Sequence, residues 1–280
     1  MLSYRHGFHA GNAADVFKHS VLFSFLMLYT KKEKPFTAFD LNGGAGIYNL
    51  LSDWSLQTNE AETGIIRLLK LYRENKLPRS APEDFKSYLE FCGKNYQADY
   101  SYAGSPEIMR SFLTPGAQLI ITDLHTAEAD ALKQRYKNST NVHIHKRDCY
   151  EALYALTPPS PVRGFVLFDP SYEVASDYSN ITQAIEKARS RWAAGIFIVW
   201  YPLLDRRKSE TETLKQTICS LKNTESFTVE VKHGLYKGKP AALQTDGYGL
   251  SGSGLIAVNP PYGLQKRATA IAEYLADIYA

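Results

Sequence analysis

Apolar residues in this chain fall into short runs, and segments with helical spacing separate most of these runs. Runs rich in β-branched and aromatic residues, bounded by Gly, Pro and polar residues, predict seven strands. These strands cover residues 36–40, 118–122, 142–146, 164–168, 195–201, 226–232 and 254–258. Because helical patterns fill most of the gaps, we expect a doubly wound α/β sheet. The last gap, 233–253, has no helical pattern, which predicts a hairpin and an antiparallel last strand.

One gap is too long for a simple crossover between strands. Between the first and second strands, apolar residues recur at helical spacing and predict a small helical insertion over residues 50–100. Residues 1–49 and 101–280 then form a Rossmann-like main domain. The aromatic residues in and next to the insertion either pack its interior or form a surface that faces RNA. They are Tyr88, Phe91, Tyr96, Tyr100 and Tyr102.

The segments that flank this region predict a loop and two helices. Residues 1–12 mix aromatic, His, Arg and Gly residues without periodicity, as a loop over a site would. Residues 15–29 have the spacing of a buried helix. After the insertion, Gly104-Ser105-Pro106 predicts another helix, with Ser105 as its N-cap and Pro106 at its first position.

Small and acidic residues follow the first three predicted strands. The Gly43–Gly46 loop comes after the first strand, Asp123 ends the second, and Asp148 follows the third. Ligands of such sheets bind outside the carboxyl ends of the parallel strands, and glycines let the backbone approach a nucleotide-like ligand. The loop lacks the third glycine and the second-strand acid of a dinucleotide site, so NAD is disfavoured. Each acid alone would also serve as a helix cap.

The strand at 164–168 runs directly into Asp169-Pro170-Ser171-Tyr172. This order resembles the (Asp/Asn)-Pro-Pro-(Tyr/Phe) motif with which amino-methyltransferases hold a nitrogen atom. The exocyclic amine of adenine is a poor nucleophile because its lone pair is delocalised into the ring. The Asp169 carboxylate and the Pro170 carbonyl would accept hydrogen bonds from that amine, and the Tyr172 ring would stack on an extruded base. These three residues are therefore the candidate catalytic residues.

A second segment, Asn259-Pro260-Pro261-Tyr262, matches the motif more closely and also follows an apolar strand. Its strand is the one predicted to be antiparallel. The carboxyl end of such a strand points to the opposite edge of the sheet. We therefore predict the site at 169–172 and not at 259–262.

Composition adds only broad limits. The chain has 280 residues, 44% hydrophobic and 22% charged, with a formal net charge of +3. These values are ordinary for a soluble globular protein and permit a nucleic-acid partner. The three cysteines form no CxxC pair, which favours a reducing, cytoplasmic location. The apolar run 20–29 is too short to span a bilayer. His143 and His145 alternate on one strand without a third ligand, so no metal site is expected.

The chain resembles the RlmJ family of ribosomal RNA methyltransferases along essentially its full length. The run from Leu2 to Asn12 and its continuation to Lys18-His19 carry the most specific part of this resemblance. Shorter segments also match; they are Gly44-Ala45-Gly46, Gly104-Ser105-Pro106, Asp169-Pro170, Trp200-Tyr201-Pro202, Gly252-Ser253-Gly254 and Asn259-Pro260-Pro261.

The resemblance implies a class I fold that binds S-adenosylmethionine (SAM), and methylation of the N6 of an adenosine in 23S ribosomal RNA. It implies that Asp169 is catalytic and that Tyr4 and His6 contact the RNA. In this fold Asp123 would bind the ribose hydroxyls and Asp148 would lie near the adenine amine. The implied cofactor residues are Lys18, His19, Asn42, Gly44, Ser105, Asp123, Asp148 and Cys149. A monomer without a metal is expected.

Four residues depart from the family pattern. Asn42 stands where His is frequent, Asp123 where Glu is, Cys149 where Gly is, and Ser171 where Pro is usual. These changes affect rate and cofactor affinity more than the class of reaction. Two alternatives remain open at this point: a DNA adenine or protein amide methyltransferase, and a catalytically weakened homologue that binds RNA.

Overall fold

The computed structural model describes residues 5–232 and 250–280. Its strands are β1 (Thr37–Asp40), β2 (Ile47–Asn49), β3 (Ser101–Ala103), β4 (Gln118–Thr122), β5 (Val142–His145), β6 (Gly164–Phe168), β7 (Ile196–Leu204), β8 (Ser226–Lys232) and β9 (Leu250–Val258). Seven of them form one sheet in the order β5-β4-β1-β6-β7-β9-β8. The strands β1, β4, β5, β6 and β7 are parallel to one another, whereas β9 is antiparallel to both β7 and β8. The predicted sheet and its antiparallel last strand are confirmed.

Helices cover both faces of this sheet. They are α1 (Ala13–Tyr29), α2 (Asp53–Thr58), α3 (Arg67–Arg73), α4 (Glu83–Asp99), α5 (Ser105–Ser111), α6 (Thr126–Tyr136), α7 (Cys149–Leu156), α8 (Ser176–Arg191), α9 (Lys208–Cys219) and α10 (Leu264–Tyr279). The central strand β6 is buried along its whole length. Phe165 and Leu167 pack with α1 and α10 on one face, and Val166 and Phe168 pack with α8 and α9 on the other. This two-sided burial explains the continuous apolar run of β6.

The region at 50–100 contains α2, a π-helical turn (Glu62–Ile66), α3 and α4. Its buried residues, among them Ile65 and Tyr88, belong to the same hydrophobic cluster as residues of α1. Tyr88 and Tyr102 are buried, and Phe91 and Tyr96 pack against the same cluster. These four aromatic side chains therefore have the packing role. The division into two domains at 50 and 100 stays a prediction.

The N-terminal segment lies directly on this helical region. The Ile65 amide donates to the Gly11 carbonyl at 2.8 Å. A side chain at Gly64 would place its Cβ 2.1 Å from that same carbonyl oxygen, so only glycine permits the approach. The Asn12 side chain then accepts from the Asp15 amide at 2.9 Å and begins α1. The segment 5–12 is thereby fixed at its C-terminal end.

Two local predictions need correction. Ser105 is the first residue of α5 and not its cap, so Pro106 is the second residue and not the first. Gly104 holds the cap position in extended conformation, without a side-chain cap. The reason is that the Gly104 amide donates to the Gly46 carbonyl at 2.9 Å, which continues the pairing of β2 with β3. This pairing was not predicted, because three-residue strands carry too little pattern to recognise.

Candidate active site

A cavity of about 840 Å³ opens where the parallel strands β1, β4, β6 and β7 end. It lies where α/β sheets bind their ligands, and its volume is within the range of about 300–1,000 Å³ for small-molecule sites. The N-terminal segment and α2 form the opposite wall. The cavity brings together ten predicted site residues: His6, Lys18, His19, Asn42, Gly44, Ser105, Asp123, Asp169, Pro170 and Tyr172.

Asp169 and Lys18 form a buried ion pair at the base of this cavity. The Lys18 Nζ donates to Asp169 Oδ2 at 2.6 Å, and the side chains are 4% and 13% exposed. The same ammonium lies 2.9 Å from Asp15 Oδ1. Burial alone would lower the pKa of Lys18, but the two carboxylates more than offset it and raise that pKa above its ordinary value. Lys18 is therefore a fixed cation between two carboxylates.

Asp169 is the less strongly stabilised of these two carboxylates. Burial raises its pKa above the ordinary value, and the charge of Lys18 only partly reverses the effect. Burial also acts on Asp15, but there the charges of His6 and Lys18 prevail and hold the pKa well below its usual range. Since Lys18 occupies Oδ2 of Asp169, the second oxygen, Oδ1, is available to a ligand. Asp169 is thus a carboxylate poised to accept one more hydrogen bond.

His6 joins the N-terminal segment to this charged group. Its Nε2 lies 2.8 Å from Asp15 Oδ2, which also accepts from the Gly11 amide at 2.9 Å. Next to it, the Phe8 ring stacks on Trp54 of α2 at 5.5 Å, and the Arg5 guanidinium lies 5.0 Å from the Trp54 ring centroid. The expected loop over a site is thereby placed along the cavity rim. Tyr4, the other predicted RNA contact, lies outside the described residues.

The glycine loop and Asp123 form the other end of the cavity. Asp123 Oδ2 accepts from the Gly44 amide at 3.0 Å, and Oδ1 accepts from the His125 amide at 2.7 Å. Gly44 has a φ of +56°, and a Cβ there would lie 2.1 Å from the Tyr48 hydroxyl. Leu124, beside Asp123, is 54% exposed and lines the cavity. This end therefore combines acceptors, an apolar surface and a bare backbone, as a nucleoside site requires.

Asp40 is a buried carboxyl that sequence reasoning treated only as the end of a strand. It is 0% exposed, and neither of its oxygens has a hydrogen-bond partner of good geometry. Burial raises its pKa to about 7, against smaller lowering effects from the nearby Ser105 hydroxyl and Asn42 amide. Asn42 and Ser105 both line the cavity. A negative charge therefore develops directly behind the cavity wall near neutral pH.

Tyr172 is placed differently from its predicted role. Its side chain is only 1% exposed; the hydroxyl donates to the Trp200 carbonyl, and the ring packs 4.8 Å from that of Tyr178. Trp200 is the partly exposed aromatic residue of this wall, with the Lys18 ammonium 5.3 Å from its ring centroid. Stacking of Tyr172 on a base stays a prediction, and in this conformation Tyr172 fixes Trp200.

Asp148 and Cys149 are not among the residues that line the cavity. The Asp148 side chain caps α7 by accepting from the amides of Tyr150 and Glu151, each at 2.9 Å. Cys149 is the first residue of that helix, and burial raises the pKa of its thiol to about 12. The helix-cap role is thus present for Asp148, and cofactor contacts of both residues stay predictions.

The second motif copy lies at the other edge of the sheet, as strand direction predicts. The Asn259 Nδ2 donates to the carbonyls of Ala193 and Gly195 at 2.9 and 2.8 Å. Thr224 donates to its Oδ1. Tyr262 is fully exposed. Asn259 therefore fastens the end of β9 to the loop before β7.

Three residues of this site were missed: Asp15, Asp40 and Trp200. Asp15 lies four residues after Gly11 and was treated only as a helix start. Asp40 directly precedes the glycine loop, which was the available signal for it. Trp200 was noted only within a matching segment, because a tryptophan inside an apolar strand is usually core.

Metal-binding clusters and membrane spans are both absent from the described part of the chain. Within 5–232 and 250–280, no group of three or more His, Cys, Asp or Glu side chains is placed to hold a metal ion. His143 instead bonds Gln118 at 2.6 Å. In the same ranges, no helix combines the length and apolar character of a membrane span.

The chain is similar to named proteins over almost its whole length. Residues 33–280 match the family described as ribosomal RNA large subunit methyltransferase D, RlmJ. "Ribosomal RNA large subunit methyltransferase J" of Escherichia coli is 32% identical, over 98% of this chain and 93% of the relative. The protein of that name from Haemophilus influenzae is 33% identical, with the same coverage. The solved structure of protein LPL1258 from Legionella pneumophila is 30% identical, with a TM-score of 0.80 over 97% of this chain and 94% of the other.

Proposed function

This chain belongs to the RlmJ family of ribosomal RNA large subunit methyltransferases, and from that premise we propose that it methylates the exocyclic N6 of an adenosine in 23S ribosomal RNA with SAM. The observation that carries the proposal is the Lys18–Asp169 pair at the cavity base, with one carboxylate oxygen left available. A carboxylate held in this way accepts a hydrogen bond from an amine without first having to be oriented.

The residues of the cavity fit SAM. A buried carboxyl group without a hydrogen bond of good geometry, as Asp40 is, is costly unless a donor or cation comes near. The ammonium group and the positive sulfur of SAM would provide that charge. Asp123 would receive the ribose hydroxyls, and the glycine loop leaves room at the backbone for a nucleoside. Asn42, Ser105 and His19 line the remaining wall. When bound, SAM supplies an electrophilic methyl group.

The chain's own residues would act on the amine. Asp169 Oδ1 and the Pro170 carbonyl would each accept one N–H of the adenine, which directs the nitrogen lone pair out of the ring. Transfer of the methyl group from SAM would leave a positively charged amine, and this amine would release its proton readily to the Asp169 carboxylate that holds it. Asp169 need not be a strong base for this step. Most of the acceleration would come from positioning in a cavity that excludes water.

Lys18 would keep Asp169 in the form that this step needs. A protonated Asp169 would have only a weak acceptor left for the amine. Burial favours that protonated form, and the Lys18 ammonium at 2.6 Å opposes it. The pair also fixes the carboxylate, since Lys18 is itself held by Asp15 at 2.9 Å. The ionised Asp169 is therefore maintained at neutral pH by a cation that is nearly inaccessible to water.

An RNA substrate would enter past the N-terminal segment. A nucleobase inside a stack cannot reach the base of the cavity, so the adenosine must be extruded. Arg5 and Phe8 line the rim, where a guanidinium and an aromatic ring would contact flanking phosphates and bases. Trp200 lies beside Lys18 at the depth where an extruded base would arrive. We propose that the protein acts in the cytoplasm; its monomeric state stays a prediction.

The test compares nucleic acids as methyl acceptors. The purified protein is incubated with SAM and deproteinised large-subunit RNA, small-subunit RNA or plasmid DNA, and nucleosides are then quantified by mass spectrometry. We expect N6-methyladenosine in the large-subunit RNA alone, with reactions lacking SAM as controls. Methylation of the plasmid DNA would replace the proposal by the DNA alternative. Binding of SAM and RNA without methyl transfer to any acceptor would identify a weakened homologue.

A further inference from the structure

A line of buried hydrogen-bonding side chains runs from the helical region into the cavity. His19 Nδ1 lies 2.6 Å from the Tyr102 hydroxyl, which lies 3.0 Å from the Tyr88 hydroxyl. Each of these three side chains is at most 1% exposed. The line therefore joins α4, β3 and α1 without passing through solvent.

All members of this line are uncharged. Burial lowers the pKa of His19 to about 3, so the imidazole is neutral at physiological pH. Burial raises the pKa values of Tyr88 and Tyr102 well above the ordinary value. A neutral imidazole has one nitrogen that donates and one that accepts. If Nδ1 accepts a hydrogen bond from its partner, Nε2 therefore carries the proton and is a donor.

The chemistry of the line favours one direction. An imidazole nitrogen is a better acceptor than a phenol oxygen. Donation from Tyr88 to Tyr102 and from Tyr102 to His19 Nδ1 therefore places the strongest acceptor at the end of the line. Donation in the reverse direction would instead make the imidazole nitrogen a donor to a weaker acceptor. In the favoured direction the proton of His19 is on Nε2.

We propose that Tyr102 is a positioning residue through which the helical region sets the tautomer of His19, with Nε2–H as a donor toward the cofactor. His19 lines the cavity, and Nδ1 is already engaged. Nε2 is thus the nitrogen left for a ligand, and as a donor it would meet an acceptor group of SAM. The proposal rests on the proposed function, and it gives the helical region a role in cofactor binding.

The direct test is the tautomer itself. Nitrogen-15 NMR of the histidine rings, assigned with a His19→Gln variant, distinguishes a protonated Nε2 from a protonated Nδ1. We expect His19 in the Nε2–H form in the wild-type protein, with or without SAM. A protonated Nδ1 would overturn the proposal. This readout does not depend on methyl transfer, so it stands apart from a failure of the proposed function.

The Tyr102→Phe variant removes the hydroxyl and keeps the ring. Loss of one buried hydrogen bond is expected to weaken SAM binding about tenfold by calorimetry, with kcat at saturating SAM little changed. The His19 spectrum should change to a mixture of tautomers. Tyr100→Phe is the matched control, because Tyr100 is 50% exposed and outside the line. Unchanged SAM affinity and an unchanged His19 spectrum in folded Tyr102→Phe would refute the role of Tyr102.

If Tyr102→Phe does not fold, Tyr88→Phe provides a milder break one step further from the cavity. Its effect on SAM affinity should have the same sign as that of Tyr102→Phe and be smaller. The wild-type spectrum decides the tautomer in either case. Absence of SAM binding to the wild-type protein would instead contradict the proposed function.

Discussion

Two segments that resemble the same four-residue motif, 169–172 and 259–262, have different surroundings. Asp169 faces the cavity and is paired with Lys18, whereas Asn259 directs its side-chain hydrogen bonds to Ala193, Gly195 and Thr224. The tyrosine of the first segment is buried, and that of the second is fully exposed. The copy with the better motif uses the side chain of its asparagine for structural hydrogen bonds.

Strand direction accounts for this difference. Both segments follow a buried apolar strand, but β6 is parallel to its neighbours and β9 is antiparallel to β7. Their carboxyl ends therefore lie at opposite edges of the sheet. The function of such a four-residue motif can therefore be inferred only when the direction of the preceding strand is known.

The largest expected effect separates the two segments by activity. Replacing Asp169 by Ala removes the acceptor for the amine, and methyl transfer should fall by about 10²–10³-fold or more. SAM binding should be retained, because the cofactor residues are other side chains. Single-turnover transfer and calorimetry measure the two quantities. Asn259→Ala is the matched control and should transfer methyl groups at the wild-type rate. An unchanged rate for Asp169→Ala would refute the catalytic role.

The next effect concerns the partner of Asp169. In Lys18→Met the carboxyl stays buried but loses the cation that lowers its pKa, so that pKa rises further. The acid limb of the pH–rate profile should then move to higher pH. Once the limb lies above neutral pH, the rate at pH 7 should fall about tenfold for each further increase of one in the pKa of Asp169. The rate should recover as the pH is raised. A uniform loss of rate at all pH values would instead indicate that Lys18 only supports the local structure.

Asn259→Ala should lower the stability of the protein, whereas the main effect of Asp169→Ala should be on methyl transfer. The substitution leaves the carbonyls of Ala193 and Gly195 without their donor. The free energy of unfolding should fall by about 1–3 kcal/mol, measured by urea denaturation. The free energy of unfolding of Asp169→Ala, which removes the Lys18–Asp169 charge pair, is measured for comparison. A stable but inactive Asn259→Ala would reverse the roles assigned to the two segments.

A smaller effect tests the cofactor side of the cavity, which only the first segment faces. The pKa of Asp40 lies near 7 without a ligand, and its ionised form favours a cation. SAM affinity should therefore increase as the pH rises, by up to about tenfold between about pH 6 and pH 8. Asp40→Asn should remove this dependence. Because folding raises the pKa of Asp40, the folded protein holds this proton more tightly than the unfolded chain does. The free energy of unfolding should therefore be highest below the pKa of Asp40 in the unfolded chain and should fall as the pH rises toward 7.

The smallest effect comes from exchanging the third residues of the segments. Ser171→Pro should raise the free energy of unfolding by about 0.4–1 kcal/mol by restricting the unfolded chain, with little change in rate. Pro261→Ser is the reciprocal control and should lower stability by a similar amount. A large loss of activity in Ser171→Pro would show that the serine has a role of its own.

The sheet and the location of the site could be predicted because they depend on patterns several residues long. The apolar runs of β4, β6 and β8 match their observed bounds, and the direction of β9 followed from the missing helix before it. The hydrogen bonds within the site could not be predicted. Asp15, Asp40 and Tyr102 act through neighbours distant in sequence, and a single acidic or aromatic residue carries no signal of such a neighbour. The orientation of Tyr172 was missed for the same reason, since its partner Trp200 lies on another strand.

The catalytic role of Asp169 is tested most directly in cells, where substrate and enzyme are both native. N6-methyladenosine in large-subunit ribosomal RNA would be mapped by mass spectrometry in a strain that lacks this gene, complemented with wild type, Asp169→Ala or Asn259→Ala. We predict that one adenosine loses its methyl group in the deletion strain, and that wild type and Asn259→Ala restore it while Asp169→Ala does not. Restoration by Asp169→Ala, or an unchanged methylation map in the deletion strain, would contradict the account.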